Sequence, residues 1–336
     1  MDYQSPRWLP RDGWLSGAIQ TIWPALFSRK FEGAHPPLFE RERWITPDED
    51  FIDVDFLKPA LSAAQPDAPL LVLFHGLEGS SASHYATAFA HVASQRGWHY
   101  AVPNFRGCSG EINLAPRAYH SGDFEEIGWI LQRFKSRHAG PVLAVGVSLG
   151  GNALLRWGQE AGASASKTAD AIASICAPLD LMVCGWALGQ GWNRQVFTRL
   201  FLRSLKARAL KKWEQFPRLF DKEVMLRSRD LYEFDDVFTA PLHGYVNTYD
   251  YWSRASSKPH LHQLRLPTLI VNPVNDPFVP AASQPGPQEV SPEVTLYQPQ
   301  HGGHIGFAYG SFPGHVLQLP EIVCQWLVSH QGSNDG

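Results

Sequence analysis

Apolar runs of five or six residues, separated by longer amphipathic stretches, predict an α/β fold with a mostly parallel sheet, helices on both faces and a helical cap insertion. Two further observations narrow this. Residues 141–151, PVLAVGVSLGG, drive an apolar strand into Gly146-Val147-Ser148-Leu149-Gly150, a G-x-S-x-G turn that demands a strand before it and a helix after it. The alternation also breaks over residues 179–258 and resumes with the strand-like run 266–271, as an insertion into a continuous sheet would make it do.

In chain order, residues 1–40 form an arm bearing aromatics and prolines. Ile19, Ile22, Trp23, Leu26 and Phe27 recur there at helical spacing and predict a helix packed on the core. Residues 42–46 and 51–56 flank the turn-like 47–50. Ile52, Val54 and Phe56 alternate with Asp53 and Asp55, which predicts a hairpin with one buried face. Strands over 70–74, 100–104, 142–147 and 171–177 then alternate with helices over 82–96, 123–137 and 149–160, while 161–167 reads as a loop. The core is expected to comprise residues 41–178 and 259–336, closing with a helix over 316–330. In the insertion, Arg199, Arg203 and Lys206 share one helical face, with Phe197, Leu200, Phe201 and Leu205 on the opposite one. That pattern suits a solvated face above a buried one, and it also suits peripheral contact with an anionic membrane surface.

Composition narrows the function classes. The chain has 336 residues, 44% of them hydrophobic, which is enough for a sizeable core. Lys and Arg number 29 against 32 Asp and Glu, a net charge of −3 with no field to draw nucleic acid or other polyanions. Cys108, Cys176, Cys184 and Cys324 are scattered without C-x-x-C spacing, as expected of a reducing cytoplasm. The start, MDYQSPRWLPRDGW, has no basic segment leading into an apolar one, and no run reaches ~18 apolar residues, so neither secretion nor membrane spanning is expected. His301 with His304 and His260 with His262 have no carboxylate or cysteine cluster beside them in sequence, so neither a metal nor an organic cofactor is expected. The oligomeric state is not encoded in any motif.

The G-x-S-x-G spacing places Ser148 on a sharp turn with its hydroxyl exposed at the end of a strand. A serine hydroxyl is a weak nucleophile at neutral pH and needs a base, an orienting carboxylate and oxyanion donors. Asp276, in the loop NDPFVP after the strand-like 267–271, supplies the carboxylate, with Asp180 after 171–177 as its rival. His304, in HGGHIGF after the strand-like 294–297, supplies the base ahead of His301. The run LLVLFHGLEG ends a strand in His75-Gly76, so the Leu77 backbone N–H, with that of Leu149 after the serine, forms the expected oxyanion hole, and His75 is read as a turn residue. Cys108 lies in a loop after a strand but has no such turn around it and reads as a packing thiol. Tyr119, His120, Trp186 and Trp252 are candidates for substrate contact. With Phe197, Leu200, Phe201 and Trp192 they suggest an apolar roof.

Eight stretches spread along the chain resemble the YheT-like esterase family of α/β-hydrolases, a branch that also holds acylglycerol lipases and medium-chain ester synthases. They are IQTIWPALF from Ile19, HGLEGSS from His75, NFRGCSG from Asn104, YHSG from Tyr119, GVSLGGN from Gly146, DYWSRASS from Asp250, NDPFVP from Asn275 and GGHIGF from Gly302. The resemblance implies the α/β-hydrolase fold with Ser148 as nucleophile, Asp276 as acid and His304 as base. The apolar roof suggests a small-molecule ester of small to medium acyl chain as substrate. Phe124 and Glu126 depart from the family pattern, where Thr and Asp are expected, which bears on the start of the local helix. No amino-terminal membrane anchor of the kind some eukaryotic relatives carry is visible. The same triad would serve an acyltransferase. A dehalogenase or epoxide hydrolase would need Asp at position 148, and a non-catalytic scaffold would usually have lost a triad member.

Overall fold

The computed structural model describes residues 1–13, 15–58 and 65–330. Among them, one sheet takes the strand order β1-β2-β4-β3-β5-β6-β7-β8. The strands are β1 Phe39–Ile45, β2 Phe51–Leu57, β3 Leu70–Phe74, β4 His99–Pro103, β5 Val142–Val147, β6 Ala171–Ile175, β7 Thr268–Val271 and β8 Val294–Tyr297. Neighbours from β4 through β8 run parallel, and β2 pairs antiparallel with both β1 and β4. Strands β3, β5 and β6 are buried along their length, which is why they read as unbroken apolar runs.

The helices are α1 Ser16–Leu26, α2 His84–Gln95, α3 Phe124–Arg137, α4 Leu149–Ala161, α5 Leu181–Leu188, α6 Gly191–Asn193, α7 Arg199–Gln215, α8 Lys222–Arg227, α9 Leu231–Phe234, α10 Ala240–Leu242, α11 Thr248–Ala255 and α12 Gln318–His330. Leu71 and Leu73 share a cluster with Phe89 of α2 and Val323 of α12, while Val72 and Phe74 share one with Ile130 of α3 and Leu154 of α4. The two-residue period of β3 thus feeds both layers. Helices α5 to α11 fill the interval between β6 and β7, where the alternation fails in sequence. Residues 331–336, the end of the expected core span, lie outside the described residues.

Three local expectations need correction. The second face of β2 is also buried: Asp53 and Asp55 are covered because Arg43 and Arg41, their cross-strand partners in β1, bind them at 2.7 Å. Burial alone would raise both carboxyls, but the hydrogen-bonded guanidiniums outweigh it and hold them below the ordinary value. On α1, the buried side is Ser16, Gly17, Ala18, Gln20 and Pro24, while Leu26 and Phe27 of the apolar stripe are exposed. On α7, Leu200 is exposed beside Arg199, because a π-helical turn over Arg194–Thr198 breaks the 3.6-residue phase just upstream. Lys206 does not stand free on a basic face either, since its ammonium donates to the carbonyls of Leu226 and Ser228. Among the described residues, no helix is long and apolar enough to cross a membrane.

Helix α3 does begin at Phe124, although Asp123 at its N-cap makes no capping bond and instead takes Arg117 at 2.6 Å. Glu126, the other departure from the family pattern, is buried against Arg106. Arg106 also binds Asp50 at 2.7 Å and Asp48 at 2.8 Å, so one buried guanidinium joins the hairpin turn to α3. Arg106→Met is expected to destabilise the protein by about 3–5 kcal/mol, since it leaves carboxylates buried without their counter-charge. Urea denaturation at neutral pH measures this, and a loss under about 1 kcal/mol would show the cluster to be dispensable.

Candidate active site

Ser148 stands between β5 and α4 with φ 53° and ψ −119°. A non-glycine residue pays of order 1–3 kcal/mol in such a region, so the surroundings must enforce it. They do so by close approach. A Cβ on Gly146 would lie 2.4 Å from the Gly150 carbonyl oxygen, and one on Gly150 would lie 2.5 Å from the carbonyl oxygens of both Phe74 and His75. The first turn of α4 therefore rests directly on β5 and on the end of β3. Ser148 N–H donates to the Ile175 carbonyl at 2.8 Å and closes the turn against β6.

The structure brings Ser148, His304 and Asp276 together from three loops. Ser148 Oγ lies 3.0 Å from His304 Nε2, and His304 Nδ1 lies 2.9 Å from Asp276 Oδ2. The other carboxylate oxygen accepts the Phe278 N–H at 2.8 Å, so the acid is oriented by its own loop. Asp180 is elsewhere: it caps α5 by accepting the Val183 N–H at 3.1 Å. His301 is not in this chain of bonds. His75 is a turn residue, its Nε2 accepting the Phe105 N–H and its Nδ1 facing the Gly76 carbonyl, and burial pushes it down to about 4, so it is neutral.

The support beneath His304 was not visible in sequence. Thr21 Oγ1 accepts the His304 N–H at 2.8 Å, and Gln20 Oε1 accepts from both Gly302 N–H and Asn275 Nδ2. Helix α1 therefore holds the acid loop and the base loop at once. Cys176, at the end of β6 with φ 51°, places its sulfur between Ile305 N–H and the Gly303 carbonyl. Sulfur, Asp276 carboxylate and His304 imidazole form a trio of metal-type donors within 4.8 Å of one another, the cluster that sequence spacing had not suggested. Burial raises the Cys176 thiol well above its ordinary value, so it is a protonated packing group, and the carboxylate and imidazole are already bound to each other. Cys108 is likewise a raised thiol, pushed up to about 12 by burial, lying 3.1 Å from an Arg208 nitrogen.

Ser148, Leu149, Leu77 and His304 open into one cavity beneath the helical insertion. Among the described residues, the backbone N–H groups of Leu77 and Leu149 have no protein acceptor, and both residues line the cavity next to Ser148. The wall beyond is apolar: Leu181, Leu188, Phe201, Leu205, Leu231 and Phe238. Tyr119, His120 and Trp252 line it, and burial keeps His120 neutral, at about 3. Trp186 does not. It follows cavity-lining Gly185 on α5, and the rotation of about 100° from one helical residue to the next turns its ring outward onto Tyr232, where it is 45% exposed. Trp192 and Phe197 are also absent from the wall, with Phe197 packed edge-on against Phe278 behind it.

With this geometry in hand, comparison with known proteins is informative. A family model described as the alpha/beta hydrolase fold matches residues 69–311. An Escherichia coli (strain K12) protein named "Putative esterase YheT" is 36% identical over 330 residues, covering 97% of this chain and 94% of its own. A human protein named Phospholipase ABHD3 is 29% identical over 305 residues, covering 89% of this chain and 74% of its own. Among solved structures, DcsB in complex with its substrate analogue superposes with a TM-score of 0.57 at 13% identity, covering 88% of this chain and 99% of that one, a likeness of fold.

One cavity group plays no part in the serine chain. Asp235 is buried, its oxygens taking the Thr239 hydroxyl at 2.5 Å and the Trp252 indole N–H at 2.9 Å. Burial pushes its carboxyl up to about 6, and the charge of Asp236 adds to the effect. Because the folded value exceeds the unfolded one, the stability this group contributes is complete in acid and is lost as pH rises through about 6. The loss amounts to at most about 3 kcal/mol. The loss runs from the unfolded value of 3.8 up to about 6, so Asp235→Asn is expected to melt higher than the native protein at pH 8 and to keep only about half of that advantage at pH 5. Equal differences at the two pH values, in thermal melts, would refute the assignment.

Proposed function

This chain belongs to the alpha/beta hydrolase family, with a YheT-like esterase relative along nearly its whole length, and from that premise we propose that it is a serine carboxylesterase acting through an acyl-enzyme. The observation that carries the reading is the bonded chain Ser148–His304–Asp276 at the floor of an apolar cavity. Ser148 Oγ attacks the ester carbonyl as His304 Nε2 takes its proton, and Asp276 holds the proton on Nδ1 and stabilises the imidazolium. The N–H groups of Leu77 and Leu149 receive the oxyanion of the tetrahedral intermediate. Collapse breaks the bond to the alkoxide, which leaves with the proton from His304. Water then repeats the sequence on the acyl-enzyme and releases the carboxylic acid. An alcohol in place of that water would give acyl transfer, the second reading, by the same groups. Helices α5 to α11 act in this reading as a cap over residues 179–258 that shapes the acyl site.

A fluorophosphonate probe is expected to label the protein, and Ser148→Ala to abolish labelling without loss of folding; a labelled mutant would move the nucleophile elsewhere. Asp276→Asn should cut kcat by about three to four orders of magnitude through the wrong imidazole tautomer, and Asp180→Asn should cost only a helix cap.

Substrate preference follows from the wall. Each methylene buried against Leu188, Phe201 and Leu205 contributes about 0.8 kcal/mol, or roughly fourfold in rate constant. The ratio kcat/KM for p-nitrophenyl esters is therefore expected to climb from acetate to butyrate or beyond, then level off, with peptide amides left uncut. A steady decline from acetate, or efficient amide cleavage, contradicts an acyl site in this cavity.

A further inference from the structure

The turn that carries Leu77 is held in an unusual way. Three successive backbone N–H groups, of Gly76, Leu77 and Glu78, emerge from the end of β3. The first donates to Tyr85 Oη at 2.9 Å and the third to Tyr119 Oη at 2.9 Å, while the middle one has no acceptor among the described residues. Tyr119 returns its own hydroxyl proton to Glu78 Oε1 at 2.8 Å, so Glu78, at φ 58°, is gripped by backbone and side chain together. Arg208 of α7 completes the grip, binding Glu78 Oε2 at 3.0 Å and bonding to the Gly107 carbonyl. The Tyr119 ring is itself fixed, stacked on Phe105 with 3° between planes and centroids 5.5 Å apart.

Rotating either flanking peptide would swing the Leu77 N–H away from Ser148. Both tyrosines are buried, and neither hydroxyl reaches the Ser148–His304–Asp276 chain. The Tyr119 ring does line the cavity, but its hydroxyl is occupied by Glu78 and is not left over for substrate.

We infer that Tyr85 and Tyr119 are positioning residues that aim the Leu77 N–H at the oxyanion, and that Arg208 ties this aim to the helical insertion through Glu78. The inference rests on the serine esterase reading and adds to it a cause for the orientation of one donor. A hydroxyl from each side immobilises the flanking amides, so the middle donor is preorganised before substrate arrives. An interaction of this kind strengthens only as charge develops on the carbonyl oxygen, and its loss should therefore appear in kcat and spare KM.

The test pairs turnover with a transition-state mimic. An alkyl trifluoromethyl ketone accepts Ser148 Oγ at its carbonyl carbon, and the resulting hemiketal oxyanion occupies the same donors. In Tyr119→Phe, which keeps the ring and its stack, kcat on p-nitrophenyl butyrate is expected to fall by about 10- to 100-fold, short of the ~10²–10³ lost when a donor itself is removed. KM should stay within about twofold, and the inhibition constant of the ketone should weaken by the same factor as kcat/KM. Tyr85→Phe should behave alike, and Arg208→Met should show a smaller change of the same pattern. Tyr100→Phe is the control, because its buried hydroxyl donates to the Ala86 carbonyl and to none of the three amides of the turn; it should lower the melting temperature and leave both constants alone. A native protein that neither turns over esters nor binds the ketone would overturn the esterase reading and the inference with it. Native activity with Tyr119→Phe unchanged in kcat and ketone affinity, or with KM rising alone, would overturn the positioning role and leave that reading intact.

Discussion

The contact between the first turn of α4 and the ends of β3 and β5 is the constraint on which the rest of the site depends. It is a contact between backbones, made where Gly146 and Gly150 leave no side chain between them. Once α4 sits that close, Ser148 has no relaxed conformation available and its hydroxyl must project above the sheet. The Leu149 amide is then left at a helix start with no partner before it, as helix geometry requires. The projecting Ser148 hydroxyl and the free Leu149 amide therefore follow from a single packing event. Leu77 lies in the turn just past the end of β3, the strand against which that packing occurs.

Much of this was legible because it is local. Strands β3, β5 and β6 are buried on both faces and announce themselves as apolar runs, and the G-x-S-x-G turn needs no distant partner to be read. Asp276 and His304 could be chosen because a strand precedes each and the chain order fits. What sequence hid were roles set by partners far away. Asp53 and Asp55 look like the wet side of a hairpin until Arg43 and Arg41 are placed opposite them. Cys176 looks like one of four scattered thiols until the His304 loop closes over it. Trp186 and Trp252 look alike as roof candidates. Trp186, one helical step past Gly185 on α5, faces solvent, while Trp252 on α11 lays its ring against Gly185 and lines the cavity.

Periodicity misled most where the helix itself is irregular or where its important side is small. The π-helical turn before α7 rotates Leu200 out of the apolar row that a 3.6-residue count assigns it. Inward-facing charges then fasten α7 to the core. Lys212 is buried and donates to the carbonyls of Asn113 and Ala115, and Arg208 reaches Gly107 and Glu78. On α1 the row of large apolar residues attracts attention, yet the side that touches the core is small and polar, centred on Gly17 and Gln20. Close approach of a helix to loops favours such residues, and a count of hydrophobic positions passes over them.

The grip of α1 on the loops of Asn275 and His304 has a consequence for biosynthesis. Gln20 and Gly302 are 282 positions apart, and Thr21 and His304 are 283 apart. A chain emerging from the ribosome makes helix 16–26 well before its histidine loop, so the segment must wait through 282 further positions for its partner. Contacts of such high sequence separation are slow to form and carry a large loop-closure cost. Ser148, 156 positions before His304, has no imidazole beside it until that loop has been made.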